Sequence, residues 1–231
     1  MNVAIVVAAG KGTRLGGNQP KQFLELCGVP IIIHTLRQFE RCKEINEIIV
    51  VVPAEGTAAF SSLAQKFKLS KLSVVVAGGA TRAQSVRRGL NAISSAEIVA
   101  VHDGVRPFVT PDEIDRVVTA ARADGAAILV APVADTIKDI ENGRVKRTPP
   151  RTNLRLALTP QCFRYDLLKR AYDQLDEVEA VGDEVTDDSL LVERLGAEII
   201  ALEGSARNIK ITREEDLVVA EAILSSVVSS Q

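Results

Sequence analysis

Short runs of Val, Ile and Ala recur along the chain, at Val3–Ala9, Glu47–Val52, Ser73–Ala77, Ile98–Val101, Ala126–Pro132 and Glu198–Leu202. The earlier runs are almost continuously apolar, as expected for strands covered on both faces of a mainly parallel sheet. Between them lie segments of helical period. Pro30 suits a first helical position and opens a predicted helix over Pro30–Lys43. Thr110-Pro111-Asp112-Glu113 is a capping box opening Pro111–Ala123, and Thr212-Arg213-Glu214-Glu215 is a second, opening a C-terminal helix towards Val227. Further helices are predicted near Thr81–Ser94, Arg164–Glu177 and Asp187–Leu195. This alternation implies an α/β fold of three layers, a Rossmann-like mainly parallel sheet with right-handed crossovers and helices on both faces. Ligands of such sheets bind beyond the carboxyl ends of the strands, so the residues just after each strand carry the functional question.

The first of those loops reads Ala8-Ala9-Gly10-Lys11-Gly12-Thr13-Arg14-Leu15-Gly16-Gly17-Asn18-Gln19-Pro20-Lys21-Gln22. Four glycines in eight residues allow backbone N–H groups to converge on an anion, and three cations stand there without an acid. A triphosphate is the natural guest. A Walker A loop would need Ser or Thr after the lysine, where Gly12 stands, and Gly where Ile5 stands. A dinucleotide fingerprint would need Gly or Ala at Leu15 and an acid after the second strand, which ends Val-Val-Val-Pro instead. The G-x-G-x-R…P-K signature of sugar-phosphate nucleotidylyltransferases fits through Lys21.

Asp135–Leu154 breaks the α/β rhythm. Asn142-Gly143 is a hairpin signal, and Thr148-Pro149-Pro150-Arg151 follows it. The reading is one domain over 1–231 with a two-stranded arm at about 135–154 that has no helix to cover it. Such an arm packs on a neighbouring subunit, so a homodimer is expected.

The charge balance excludes some partners. With 28 Lys and Arg against 30 Asp and Glu, there is no basic excess for a nucleic-acid polymer, and aromatics at 3% give no base-stacking platform. Cys27, Cys42 and Cys162 are too sparse for a disulfide or zinc framework and fit a reducing cytoplasm. Met1–Gly10 reads as a buried strand, since its positive charges follow the apolar run. Nothing approaches ~18 uninterrupted apolar residues, so no membrane partner is expected.

Taken together, the ordered motifs Ala8-Ala9-Gly10-x-Gly12-x-Arg14, Pro20-Lys21-Gln22, Gly78-Gly79-x-x-Arg82-x-x-Ser85, His102-Asp103-x-x-Arg106-Pro107, Pro132-Val133-x-Asp135-Thr136-x-Lys138, Leu158-Thr159-Pro160-Gln161, Thr186-Asp187 and Asn208-Ile209-Lys210 resemble, from end to end, the 2-C-methyl-D-erythritol 4-phosphate cytidylyltransferase family. The resemblance implies transfer of CMP from CTP to a polyol phosphate, with release of pyrophosphate, in non-mevalonate isoprenoid precursor synthesis. The nucleophile is a phosphate oxygen already anionic at pH 7, so no general base is needed. That agrees with a chain of two histidines and no Ser-His or Cys-His pattern.

By the family's pattern, Arg14 and Lys21 stabilise the transition state, and Arg151 and Lys210 position the acceptor phosphate with help from Thr136. Asp103 is assigned Mg²⁺ bridging the phosphates. Ala8, Ala9, Gly10, Gly12, Gly104 and Arg106 are assigned to the substrate, and Gly79, Ala80 and Ser85 to the cytosine. His102 reads as a hydrogen-bonded structural residue. Two departures are visible: Gly104-Val105 stands where Ala-Ala is usual, and Ala80 replaces a residue that is often acidic. The first change is small and apolar, and the second loses little if that contact runs through backbone.

Other readings are ribitol 5-phosphate as acceptor, a nucleotide-binding module without turnover and, for want of a fingerprint less well supported, a dinucleotide oxidoreductase. Thr186-Asp187-Asp188-Ser189 favours methylerythritol phosphate over ribitol phosphate. A degraded cation set would mark the silent module, and Arg14, Lys21, Arg151 and Lys210 are all present. Residues 173–193 hold nine acids and no cation, read as a solvated face apart from Asp187.

Overall fold

The structure is a computed structural model that describes residues 1–10, 20–182 and 184–228. The strands are β1 (Asn2–Val7), β2 (Glu25–Leu26), β3 (Val29–Pro30), β4 (Glu47–Val52), β5 (Leu72–Ala77), β6 (Ile98–Asp103), β7 (Ala126–Pro132), β8 (Asp139–Glu141), β9 (Arg144–Arg147), β10 (Arg155–Arg164) and β11 (Ile200–Glu203). The helices are α1 (Ile31–Arg41), α2 (Thr57–Lys66), α3 (Arg82–Asn91), α4 (Pro111–Asp124), α5 (Tyr165–Asp173), α6 (Leu175–Ala180), α7 (Asp188–Arg194) and α8 (Glu214–Val228). The main sheet runs in the order β11-β7-β10-β6-β1-β4-β5. Its pairings are parallel except for β10, which is antiparallel to both β6 and β7.

The two faces of the sheet follow from the strand period of two. Ala4, Val6, Ile48, Val50 and Ala100 point to the layer of α1, α2 and α4, where Leu36, Phe39, Phe60, Ile114 and Val118 are buried. Val3, Ile5, Ile49, Val51 and Val99 point the other way, onto Val86 and Leu90 of α3, Leu168 and Tyr172 of α5 and Val192 of α7. A smaller cluster joins Leu26 and Ile31 to Val105, Ile211 and Ala220, and so seats α8 beside the loop after β6. This is the expected three-layer α/β sandwich.

Gly89 sits where α3 crosses β1 and β4. A Cβ there would lie 2.7 Å from Ile5 Cγ2 and 3.1 Å from Val51 Cγ2, both in the buried core. Overpacking outweighs the roughly 1 kcal/mol by which Ala favours helix over Gly. Gly89→Ala is therefore expected to lose about 1–2 kcal/mol of unfolding free energy in a urea titration; a gain would show that α3 can move away.

Several sequence expectations are corrected. The largest concerns β10, which had no predicted counterpart and lies in the middle of the sheet. The first strand ends at Val7 rather than Ala9, and Pro30 belongs to β3, one residue ahead of α1. The helix expected over Arg164–Glu177 is two, α5 and α6, parted at Gln174. The Thr110 box forms as expected, with the Thr110 side chain accepting from Glu113 N–H and Glu113 accepting from Thr110 N–H. The second box is displaced by one residue: Asp216, not Glu215, accepts from the Thr212 and Arg213 N–H groups, because α8 begins at Glu214 and Asp216 is its third residue.

The arm forms as β8 and β9, around Asn142 and Gly143 at φ of +50° and +75°. Both signs suit a mirror-image two-residue turn. The hairpin pairs with no strand of the main sheet, and Ile140 and Val145 on it are 55% and 60% exposed. No helix among the described residues is long and apolar enough to cross a membrane.

Candidate active site

Three strand ends converge on one edge of the sheet. β6 lies beside β1 with Asp103 opposite Val7, and β4 lies on the other side of β1. Backbone bonds then hold the chain as it leaves β1, β5 and β6: Ala8 N–H donates to Val51 O, Gly78 N–H to Val52 O and Gly104 N–H to Val7 O. The loops after β1 and β5 meet at Gly78, where a Cβ would stand 2.2 Å from that of Ala9. Only glycine allows this approach.

Between these loops lies a pocket of about 430 Å³. Its floor is Ala8, Ala9 and Gly10, one wall is Gly79, Ala80, Thr81 and Ser85, and Lys21, Arg82, Asp103 and Lys210 supply its charges. Lys21 stands on a single 3-10 turn, Lys21–Phe23, whose next residue is the anchor. Buried Gln22 donates through Nε2 to Ala8 O at 2.6 Å and Gly10 O at 3.2 Å, so the far end of the glycine loop is tied to its start.

Asp103 is the electrostatic centre. Its Oδ1 accepts from Arg82 Nε at 3.0 Å, and its Oδ2 meets Lys210 Nζ at 2.9 Å and Arg106 Nε at 3.4 Å. Burial alone would raise this carboxyl, but the charges of Arg82, Lys210 and Arg106 hold it well below the usual carboxylate range. Arg82 continues to buried Asp188, whose Oδ2 it meets at 2.8 Å, and Tyr172 donates its hydroxyl to the other Asp188 oxygen. Burial opposes the charge on Arg82, yet the two aspartates raise its pKa well above the ordinary value.

The antiparallel β10 fastens the rear of this cluster. Thr159 Oγ1 accepts from Asp103 N–H at 3.2 Å and lies 2.9 Å from His102 Nδ1. Gln161 Oε1 accepts from the N–H groups of Asp188 and Ser189. Thr159 O accepts from Asn208 Nδ2 at 2.8 Å, and Asn208 O accepts from Arg106 Nη1 at 2.8 Å, which sets the segment carrying Lys210. The motifs Leu158–Gln161 and Asn208–Lys210 are thus largely scaffolding for Asp103 and Lys210.

His102 is fully buried, with Nε2 against Arg106 O at 3.1 Å, so the neutral ring with Nε2 protonated satisfies both contacts. Burial lowers its pKa to about 4. Between that value and the unfolded ~6.5, the unfolded chain binds the proton and the native one does not. The stabilisation is present above pH ~6.5 and is lost as pH falls towards 4, by about 3 kcal/mol for this shift. His34, also lowered by burial, adds a slope of the same sign. The check is therefore the difference in pH dependence of unfolding between wild type and His102→Asn; identical slopes would remove His102 from the titration.

The expected residues fall into four groups. Lys21, Lys210, Asp103, Ala8, Ala9, Gly10, Gly79, Ala80 and Ser85 are brought together around the pocket. Arg14 and Gly12 lie outside the described residues. Arg106 and Gly104 adjoin the pocket without lining it: the Arg106 guanidinium is spent on Asp103 and Asn208, and Gly104 O accepts from Thr35 Oγ1 at 3.0 Å. Arg151 and Thr136 are exposed on the arm side, with Arg151 Nη1 donating to Ala134 O, and do not line the pocket of their own chain.

The expectation of a solvated face over 173–193 is corrected in part. Asp176 pairs with Arg87 at 2.7 Å, Glu179 bonds Thr81 and Gln84, Asp188 is buried against Arg82, and Asp187 caps α7. Glu179 and Asp188 dock on the N-terminal part of α3, whereas Asp173, Asp176, Glu177, Glu184 and Glu193 are exposed, as expected of a solvated face. Arg82, Asp188 and Tyr172 had no assigned role from sequence; Arg82 stood inside a quoted motif, and its spacing to Ser85 was the available signal.

A mainly parallel α/β sheet with a glycine-floored, cation-lined pocket at its carboxyl edge defines a nucleotidyltransferase-type protein. The family model IspD, 2-C-methyl-D-erythritol 4-phosphate cytidylyltransferase, matches residues 2–226. The chain is 42% identical over 226 residues to the 2-C-methyl-D-erythritol 4-phosphate cytidylyltransferase of Geobacter metallireducens, covering 96% of each, and 45% identical over 225 residues to that of Alkaliphilus metalliredigens, covering 96% and 92%. It superimposes on the crystal structure of 4-diphosphocytidyl-2C-methyl-D-erythritol synthase from Anaerococcus prevotii with a TM-score of 0.85 at 32% identity, covering 97% and 96% of the two chains. The chain belongs to the 2-C-methyl-D-erythritol 4-phosphate cytidylyltransferase family of nucleotidyltransferase enzymes.

Proposed function

We propose that this pocket transfers CMP from CTP to 2-C-methyl-D-erythritol 4-phosphate, and that the whole of 1–231 works as one catalytic unit. The observation that carries the reading is the convergence of Lys21, Lys210 and Asp103 on a pocket walled by Gly79, Ala80 and Ser85. The acceptor's phosphate oxygen attacks the α-phosphorus of CTP, and pyrophosphate leaves. Lys21, together with Arg14, cancels charge on the five-coordinate phosphorus. Lys210 holds the acceptor phosphate, and the tether of its segment to β10 through Asn208 keeps it at one place. Ser85 does not serve as a nucleophile: its hydroxyl donates to Thr81 O and accepts from Gly79 N–H.

Mg²⁺ is the expected cofactor. Among the described residues no group of three or more His, Cys, Asp or Glu converges, and Asp103 is the one carboxylate lining the pocket. Both Asp103 oxygens are engaged by Arg82, Lys210 and Arg106, so this carboxylate would hold a hard cation through a remaining lone pair, with phosphate oxygens beside it. When bound, the ion supplies neutralisation of phosphate charge.

The arm, Arg151 and Thr136 belong to a second copy's site in this reading. A homodimer would cover the exposed Ile140, Val145 and Leu156, and would carry Arg151 and Thr136 towards the neighbouring acceptor phosphate. Incubation with CTP, Mg²⁺ and either methylerythritol phosphate or ribitol 5-phosphate, following pyrophosphate, tests the function. Release with the first acceptor is expected; release with the second alone would reassign the substrate, and release with neither would refute the enzyme.

A further inference from the structure

The acidic segment bears on the nucleobase wall as well as on the fold. Glu179 of α6 is 98 residues from Thr81, yet its Oε1 accepts from Thr81 Oγ1 at 3.0 Å and its Oε2 from Gln84 Nε2 at 2.8 Å. Thr81 Oγ1 is at the same time the N-cap of α3, accepting from Gln84 N–H at 3.0 Å. With Nε2 committed to Glu179, the Gln84 amide can turn only its oxygen inward, and Oε1 accepts from Ala80 N–H at 3.2 Å. Gly79 N–H is taken by Ser85 Oγ at 3.0 Å. One carboxylate therefore fixes a cap, an amide orientation and, through them, the loop Gly79–Thr81 that walls the pocket. The consequence is chemical as well as mechanical. With the N–H groups of Gly79 and Ala80 occupied inside the loop, the backbone groups these two residues leave for a ligand are their carbonyls. A carbonyl set against the exocyclic position of a base favours an amino donor there and disfavours a carbonyl.

We propose that Glu179 is a positioning residue for base selection, which locks Thr81 and Gln84 so that the pocket prefers an amino-bearing pyrimidine nucleotide to its oxo counterpart. The proposal rests on the cytidylyltransferase reading above. Without the carboxylate, Gln84 is free to flip, Ala80 N–H is released, and the wall can offer a donor to a uracil carbonyl. Cytosine loses affinity and uracil gains it, while Lys21, Asp103 and Lys210 are untouched.

The test compares kcat and KM for CTP and UTP, with methylerythritol phosphate and Mg²⁺, in wild type, Glu179→Ala, Gln84→Ala and Arg87→Ala. In Glu179→Ala the KM for CTP is expected to rise about tenfold, kcat to stay within about threefold, and the preference for CTP over UTP to fall about tenfold, the scale of one lost charge-assisted hydrogen bond. Gln84→Ala should move the same way by less, and it carries the test if Glu179→Ala does not fold. Arg87→Ala removes the neighbouring 2.7 Å pair with Asp176 and so loosens the docking of α6 without touching the loop. It should keep the wild-type preference even if its melting temperature drops. Unchanged KM and preference in Glu179→Ala and Gln84→Ala would overturn the proposal, as would an equal loss of preference in Arg87→Ala. Wild type turning over CTP alongside unaltered variants sinks this inference alone, whereas wild type inactive with CTP sinks the function on which it rests.

Discussion

Replacing Asp103 with Asn should lower turnover by at least about 10³-fold and unfolding free energy by about 3 kcal/mol, the scale for breaking a buried pair while its partners remain. Three cations, Arg82, Arg106 and Lys210, close on this one buried carboxylate at 3.0, 3.4 and 2.9 Å. An amide of the same shape neutralises none of them. Arg82 would keep Asp188, but Arg106 would keep only the Asn208 carbonyl. Lys210, 39% exposed and so the freest of the three, would turn towards solvent and leave the acceptor phosphate without its anchor. Denaturant titration and initial rates read the two effects separately. A variant within about 1 kcal/mol and threefold of wild type would mean that Asp103 is neither the centre of the cluster nor needed at the phosphates.

Lys21→Ala is expected to behave differently: a fall in kcat of about 10²–10³ with the fold intact, the usual cost of removing one group that stabilises transition-state charge. The turn that carries Lys21 is held by backbone bonds and by its neighbour. Phe23 N–H donates to Pro20 O, Leu24 N–H donates to Lys21 O, and the neighbouring Gln22 is the buried anchor. Thermal melting should therefore be close to wild type, and pyrophosphate release should carry the whole loss. Equal kcat in the two proteins would remove Lys21 from the chemistry.

Lys21 was legible in a loop of cations and glycines just after a strand, while Asp103, Lys210, Gly79 and Ser85 were singled out through the family resemblance, and all five line one pocket. Residues whose work is to hold other residues were not. Arg82 reads in sequence as the first charged residue of an amphipathic helix; only the fold shows that it joins Asp103 at the end of β6 to Asp188 at the start of α7. The acids of 173–193 have no periodic signature that separates a docked carboxylate from a solvated one, and their partners on α3 lie some ninety residues away. Strand β10 was obscured for a local reason. Pro160 interrupts it, and proline argues against an interior strand. The sheet accommodates the ring at a register shift, where the pairing with β7 passes from Ala157–Val130 to Gln161–Ile128. Helix α2 buries Phe60 and Ala64 among small and polar residues, too thin an apolar stripe to be read as a helix. The arm was legible because Asn-Gly is a strong local signal, whereas its role across subunits depends on a second copy.

In the proposed reaction a single displacement is driven by placed charge, with the acceptor's own phosphate oxygen as nucleophile. Within the pocket the Ser85 and Thr81 hydroxyls are both committed to hydrogen bonds, and His102 lies buried behind the wall. The stereochemical course at phosphorus measures this most directly. With one diastereomer of CTP bearing sulfur on the α-phosphorus, and methylerythritol phosphate as acceptor, the diphosphate product should show inverted configuration. Retention would contradict the claim, because it requires two displacements and therefore a nucleotide held covalently on the protein between them.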